Sequence, residues 1–159
     1  MAYNHGLPIR FESVSFVTAT LGGKAPELGQ EAYDSEGNKY VFVYNACNGQ
    51  ILPTYGVTIQ SGTSTGYSVT LSSAVEADIA VGVVRHATIP TDSYGFVLTR
   101  GHAVVEMAGT SGSVATNGLL CMADNGAFGP VSGTGAPAVG KAKAAIVSGA
   151  SGSAYISIY

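Results

Sequence analysis

Apolar and polar residues alternate along most of this chain in short segments, with the period of two that β-strands produce. Glycine-containing turn signals such as Asn117-Gly118 and Asn125-Gly126 separate these segments. Many short strands with regular turns are typical of an all-β sandwich or barrel, which is the fold class that we predict. The predicted strands are residues 56–60, 67–71, 79–84, 94–99, 103–107, 119–123, 127–131, 139–145 and 154–159.

Three further segments have distinctive patterns. Residues 30–45 form the clearest predicted hairpin, in which Gly37 supplies the positive φ of the turn. Its outgoing strand, residues 39–44, is apolar or aromatic on both faces and should be covered on both sides. The final strand, residues 154–159, is expected to lie inside the sheet. Residues 72–78 are the one helical candidate, of one or two turns.

The first 29 residues do not have the pattern of a compact core. Residues 12–21 alternate as a strand does, with Val14 and Phe16 on one face, and the glycines that follow interrupt regular structure. We therefore predict an extended N-terminal arm and hinge, residues 1–29, followed by a single β domain, residues 30–159. The alternative is that the alternating segment forms the first edge strand of the same barrel.

Charged residues make up 11% of the 159 residues, against about 25% in an ordinary soluble domain. No charged side chain occurs between Tyr40 and Val75. A chain with so few acids and bases is badly supplied for catalysis, and it suits uncharged polar surfaces that lie against another protein. The net charge of −3 and the scattered basic residues argue against a nucleic-acid partner. We expect no enzyme activity, no cofactor and no metal.

No run of about 18 apolar residues is present, so we expect no transmembrane helix and no membrane partner. The first ten residues lack the apolar stretch of a secretion signal, which predicts a soluble protein made in a cytoplasm. Cys47 and Cys121 are the only cysteines. We expect two buried free thiols rather than a disulfide, because secreted disulfide scaffolds contain more cysteines.

Two short motifs are similar to catalytic signatures. Residues 62–66 match G-x-S-x-G, but a nucleophile elbow needs a helix after the serine, and a strand is predicted there. Residues 135–142 match the phosphate-binding loop motif G-x-x-x-x-G-K-[ST] except at the last position, where Ala142 lacks the hydroxyl that would bind magnesium. In addition, Pro137 lacks a backbone N–H that could bind the phosphate. We interpret both motifs as loops that lead into strands.

The three histidines, His5, His86 and His102, are too widely spaced for a local metal signature. His86 and His102 are predicted to lie exposed at strand ends and to titrate near neutrality. If either histidine forms a triad with a distant aspartate and serine, the chain is a small β-barrel hydrolase, which is a further alternative. Nine tyrosines, most of them near predicted strand ends, are suited either to interfaces or to capping a small core.

Several segments over residues 79–159 follow one another in a recognisable order. They are the Gly-Val-Val strand of residues 79–84, a following hairpin of residues 94–98 and 101–105, the unit of residues 116–126, and closing strands at residues 138–142 and 154–158. This order resembles the small capsid-decoration (head cement) proteins of tailed bacteriophages. The resemblance implies a non-enzymatic virion protein with a compact β-barrel or β-tulip body, often trimeric, which binds the assembled shell from outside.

We therefore expect a capsid-decoration protein that contacts the major capsid protein on the outer surface of an icosahedral head and stabilises it. A phage tail or fibre component, or a host-surface adhesion module, is the alternative. The arm is the predicted contact with the capsid or a neighbouring subunit, because an extended segment can add a strand through backbone hydrogen bonds. Its predicted contact residues are Asn4, Leu7, Ile9, Phe11, Val14, Phe16 and Leu21.

Overall fold

The computed structural model of the protein describes residues 26–60, 67–72, 79–131 and 137–158, together with the backbone of residues 9–11. The strands belong to one hydrogen-bonded sheet, which confirms the all-β prediction. No helix in the described part of the chain is long and apolar enough to cross a membrane. The elements are β1 Ile9–Phe11, β2 Glu31–Asp34, β3 Lys39–Asn45, β4 Gly56–Ile59, β5 Ser68–Leu71, β6 Ala80–Val83, β7 Tyr94–Glu106, β8 Leu119–Met122, a 3₁₀ turn Asp124–Gly126, β9 Phe128–Pro130, β10 Gly140–Ala142 and β11 Ser151–Ser157.

Strands β3, β5, β4, β6 and β7 close into a five-stranded barrel, because β7 pairs with β3 as well as with β6. The β3–β5 pair is parallel and the other pairs of the barrel are antiparallel. Buried valines fill the interior, as the alternation of side chains along barrel strands requires. They include Val41, Val43, Val57, Val69, Val81 and Val97.

Strands β11, β10, β8 and β9 extend the sheet from the second half of β7. A single bridge between Met107 and Phe128 brings β9 back to the end of β7, so that these strands form a second ring. Leu120 and Phe128 of this ring belong to a separate core, which also includes Tyr40 of β3 and Val83 of β6. β7 is common to both rings, and its adjacent residues Val97 and Leu98 belong to different cores.

The prediction of two strands, residues 94–99 and 103–107, with a hairpin between them is wrong, because β7 runs without a break over Tyr94–Glu106. Gly101 lies inside the strand at φ +135 and remains paired with β11. A glycine here allows the Asn38 side chain to approach the strand, since a Cβ would overlap its Oδ1 atom. Gly101 is therefore a site of close packing rather than a turn.

Most of the other local predictions are confirmed. The β2–β3 hairpin forms with Gly37 at φ +81, and β3 is buried along most of its length. β11 lies between β7 and β10, so the last strand is inside the sheet. Both thiols are free, but Cys47 is partly exposed, so the prediction of two buried thiols holds only for Cys121. Of the helical candidate, residues 73–78 lie outside the described residues.

Candidate interaction surfaces

Of the predicted arm and hinge, residues 1–29, the structure describes the backbone of β1 and residues 26–29. The backbone of β1 pairs in parallel with β2, with Ile9 opposite Ala32 and Phe11 opposite Asp34. β1 is the last strand of the described sheet on this side. The side chains of Ile9 and Phe11 lie outside the described residues, as do the whole of the other predicted contact residues, Asn4, Leu7, Val14, Phe16 and Leu21.

A polar cluster lies where the β2–β3 turn meets the barrel. The Asp34 carboxylate accepts five hydrogen bonds of 2.8–3.0 Å from the side chains and backbone around it. Two come from the backbone N–H groups of Glu36 and Asn38, as is common for aspartate in a turn. The other three come from the side chains of Asn38, Tyr40 and Arg85. We name the group the Asp34 cluster; its members are Asp34, Glu36, Asn38, Tyr40, Arg85 and His86.

Tyr40, Arg85 and His86 share one hydroxyl oxygen. Arg85 Nη1 donates to Tyr40 Oη at 2.7 Å, and His86 Nε2 lies 3.0 Å from the same oxygen. Because the hydroxyl proton goes to Asp34, we assign the remaining bond to an N–H at Nε2 of His86. Tyr40 is 1% exposed, so the cluster reaches into the core from the strand β3.

Asn38 connects the cluster to β7. The residue is 3% exposed, and its Nδ2 donates to both Asp34 and Glu36. Its Oδ1 accepts the backbone N–H of His102 at 3.1 Å. Both ends of the amide are thus satisfied, as a buried amide requires. The cluster therefore joins the β2–β3 turn, the segment after β6 and the strand common to both rings.

Charge and hydrogen bonding set the protonation of the cluster. Burial by itself would raise the pKa of Asp34, but the hydrogen bonds that it accepts outweigh burial and hold this pKa below its ordinary 3.8. A hydrogen bond from Arg85 lowers the pKa of Glu36. Burial, followed by the Arg85 charge, lowers the pKa of His86 below its ordinary 6.5. At neutral pH the cluster therefore contains two carboxylates, one guanidinium and a neutral imidazole.

The stability of the fold is expected to fall in two stages as the pH is lowered. The pKa of His86 is lower in the folded state, so its contribution to stability is present above pH 6.5 and is lost as the pH falls below that value. The lowered pKa values of Asp34 and Glu36 make a second contribution to stability. It is present above pH 3.8 for Asp34 and above pH 4.5 for Glu36, and it is lost as the pH falls below these values. Urea unfolding at about pH 7.5, 5.5 and 3.5 measures both stages.

In the variant His86→Gln, the fall in stability between about pH 7.5 and 5.5 is expected to disappear, and the fall between about pH 5.5 and 3.5 is expected to remain. Glutamine retains a hydrogen-bond donor beside Tyr40 but has no group that titrates. If the variant and the unaltered protein lose the same stability between about pH 7.5 and 5.5, His86 does not cause the first stage.

An open groove of about 380 Å³ lies beside the Asp34 cluster, on the outer side of the second ring. The groove brings together the two histidines of the body, and both are exposed, as predicted. His86 follows the end of β6, but His102 lies in the middle of β7 rather than at the end of a strand. The residues that line the groove include Arg85, His86, His102, Val104, Lys143 and Ser153.

The described contacts do not assemble a catalytic triad. His86 Nε2 bonds to Tyr40, and the His102 ring meets the Tyr155 ring edge to face, with centroids 5.1 Å apart. Within the described ranges, neither imidazole has the serine and carboxylate partners that a triad uses. The same part of the chain has no group of three side chains that could hold a metal ion.

The two motifs that are similar to catalytic signatures precede strands, as predicted. Residues 62–66 lie outside the described residues, but β5 begins at Ser68, so the segment that follows them is a strand and not a helix. Residues 135–136 also lie outside, and the end of that motif forms β10, Gly140–Ala142. Neither motif has the helix that its catalytic counterpart requires after it.

Four aromatic side chains pack together across β3 and β7. Phe42 lies opposite Phe96 and Tyr44 opposite Tyr94, and the ring centroids in contact are 4.9–5.7 Å apart. Tyr94 is 44% exposed and Phe42 only 6%, and Tyr44 donates to Asp92 Oδ1 at 2.9 Å. Here the tyrosines cover a buried phenylalanine, which is the capping role predicted for most of them.

The Asp34 cluster was not predicted from the sequence. A signal was present, because polar residues occupy every second position from Asp34 to Tyr40, through the turn that Gly37 marks. Arg85, however, lies 51 residues from its partner Asp34. Only the closure of the barrel brings β6 next to this turn.

Comparison with solved structures gives an informative likeness. No protein-family model matches the sequence, and no curated protein sequence matches it. Among solved structures, the fold is similar to the N base of the head fiber gp8.5 of bacteriophage phi29, with a TM-score of 0.52 and 13% sequence identity. The match covers 74% of this chain and 94% of that chain. At this identity the likeness establishes a shared fold: this protein has an all-β architecture that the base of a phage head fiber also adopts.

Proposed function

We propose that this protein is a virion structural protein of a tailed bacteriophage and that it attaches to the outside of the icosahedral head. The observation that carries the proposal is the likeness of its fold to the base of a phage head fiber, over 94% of that chain. The order of segments over residues 79–159, which resembles capsid-decoration proteins, supports the same conclusion from the sequence. Neither argument requires a reacting group.

Its role in the particle is that of a decoration or cement protein. It binds the major capsid protein from outside, as a homotrimer, and holds neighbouring capsomers together. Many copies on a symmetric shell convert modest individual contacts into strong collective attachment. The low charge of the chain, 11% of residues, suits attachment through shape and backbone pairing more than through ion pairs.

The N-terminal arm makes the principal contact in this proposal. An extended segment can add a strand to a neighbouring sheet and gain backbone hydrogen bonds without charged partners. The parallel pairing of β1 with β2 supports this, since part of the arm forms strand hydrogen bonds along its backbone. Val14 and Phe16 then serve as apolar anchors.

The base of a head fibre is the second candidate, because the structural neighbour is such a base. The two roles differ in copy number. A decoration protein covers the whole shell, whereas a fibre or tail part occupies few positions. The staining intensity of this protein relative to the major capsid protein, in a gel of purified particles, distinguishes them.

Deletion of residues 1–21 is expected to abolish binding to heads and to leave a folded, soluble body. The body should remain folded because the deletion removes only the edge strand β1 from the described sheet, and both rings are intact. Sedimentation of the protein with heads that lack it measures the binding, and far-ultraviolet circular dichroism measures the fold.

A full-length variant with Val14→Ser and Phe16→Ser tests the apolar anchors without shortening the arm. It is expected to bind heads more weakly than the unaltered protein, because two buried apolar side chains are lost at the contact. If the truncated protein decorates heads with unchanged affinity, the arm is not the attachment site.

A further inference from the structure

We propose that the outer face of the second ring binds an acidic, extended segment of the shell on which the protein sits. This inference rests on the proposed function and adds to the arm a second contact of different chemistry. We name the surface the basic face. It consists of His102 and Val104 on β7, Ser153 and Tyr155 on β11, Lys141 on β10, Lys143 just after β10, and Leu119 on β8.

The register of the sheet places these side chains in a row. His102 lies opposite Tyr155, Tyr155 opposite Lys141, and Lys141 opposite Leu119. Directly opposed residues share a face of the sheet. At about 4.8 Å between strands, the row is about 14 Å long. The residues between them along each strand, such as Ala142, are buried in the second core.

The basic face is positively charged, whereas the chain as a whole has a net charge of −3. Within the described residues, no ion pair involves Lys141 or Lys143. Arg100 borders the face at one end, where its Nε donates to Tyr155 Oη at 3.3 Å, and the positive charge assigned to the face is that of the two lysines alone. Arg85 borders the face but is not counted, because two carboxylates of the Asp34 cluster neutralise it.

One carboxylate shares this side of β7. Alternation along the strand puts Glu106 on the same side as His102. Strand geometry separates Glu106 from His102 and from Lys143 by about 12–13 Å. This backbone distance exceeds the screening length of about 8 Å at physiological ionic strength, and Glu106 forms no ion pair with either lysine in the described part of the chain. Glu106 therefore cancels only part of the positive potential around the lysines.

The composition of the basic face fits a protein partner. Val104 and Leu119 are each 47% exposed and supply apolar contact area, and Tyr155 supplies an aromatic ring. Tyrosine and arginine are enriched at protein interfaces, and complementary charge raises the rate of association and fixes register. Lys141 and Lys143 are two residues apart, about 7 Å along an extended chain, which matches carboxylates at alternate positions of an acidic strand.

The test compares two variants with equal net charge. Lys141→Gln with Lys143→Gln removes two charges from the basic face and keeps most of each aliphatic stem. The control, Asn48→Asp with Gln50→Glu, changes the net charge by the same amount at exposed positions after β3. Binding to heads that lack the protein is measured between about 0.05 and 0.5 M NaCl.

The lysine variant is expected to bind heads about tenfold more weakly at low salt, and its binding should depend less on salt than that of the unaltered protein. The control variant should bind as the unaltered protein does. A hexaglutamate peptide should compete with heads for the unaltered protein and not for the lysine variant.

Three results overturn the inference. If the two variants bind equally, whether both are weakened or both are unaffected, the basic face makes no specific contact, and the proposed function stands. If the lysine variant instead changes the oligomeric state in sedimentation-velocity experiments, the basic face is a contact between copies of this chain. If the unaltered protein fails to bind heads at any salt concentration, the proposed function fails, and the inference fails with it.

Discussion

Replacement of Leu120 by alanine is expected to lower the free energy of unfolding by about 2–5 kcal/mol. Leu120 is 0% exposed and lies in the core of the second ring, where β8 pairs with both β9 and β10. The variant loses the transfer free energy of the deleted atoms and leaves a cavity that a closed ring of short strands can only partly fill. Urea unfolding at neutral pH measures the change.

The adjacent residue provides a matched control. Leu119 is 47% exposed on the opposite side of the same strand, and Leu119→Ala is expected to change the free energy of unfolding by no more than about 0.5 kcal/mol. Equal losses in the two variants would contradict the assignment of the buried and exposed faces of β8, and with it the closed second ring.

Replacement of Gly101 by alanine is expected to cost about 2–6 kcal/mol of stability. Its φ of +135 lies in a region that L residues rarely adopt, which accounts for about 1–3 kcal/mol. The new Cβ would also overlap Oδ1 of Asn38. Displacement of that amide breaks its hydrogen bond to the backbone N–H of His102 and leaves buried polar groups unpaired, at a further cost of about 1–3 kcal/mol.

The variant Gly112→Ala separates the two effects. Gly112 has φ +80, but a Cβ at this position would meet no atom within 4 Å. It is therefore expected to cost only about 1 kcal/mol, from backbone strain alone. Thermal unfolding of the two variants compares them. If Gly101→Ala costs no more than Gly112→Ala, then contact with Asn38 does not explain the glycine in the middle of β7.

The Gly101 prediction concerns the join between the two rings. β7 has 13 residues, about 43 Å of extended chain, which is enough to contribute to the barrel with one half and to the second ring with the other. The Asp34 cluster holds the β2–β3 turn against the midpoint of this strand through Asn38. A rigid join would keep the arm and the basic face at a constant distance, which simultaneous binding to one shell requires.

Most individual strands could be predicted from the sequence, because their signals are local. The alternation of residues 68–71 and the turn around Gly37 are each contained within a few neighbouring positions. Burial of one face produces the period of two, and the positive φ of a tight turn favours glycine, asparagine or aspartate. The division of the chain near residue 29 and the contacts of the arm stay predictions.

Tertiary structure alone decided where β7 continues and which polar residues meet. Gly101 has the same local signature as a turn glycine, and only the packing of Asn38 against it shows that the strand continues. Arg85 joins Asp34 across 51 residues, and Lys141 shares a row with His102 only because β11 lies between their strands. The alternation of side chains in one segment sets which face it buries, but pairing between distant strands sets which residues become neighbours, and no local pattern encodes that pairing.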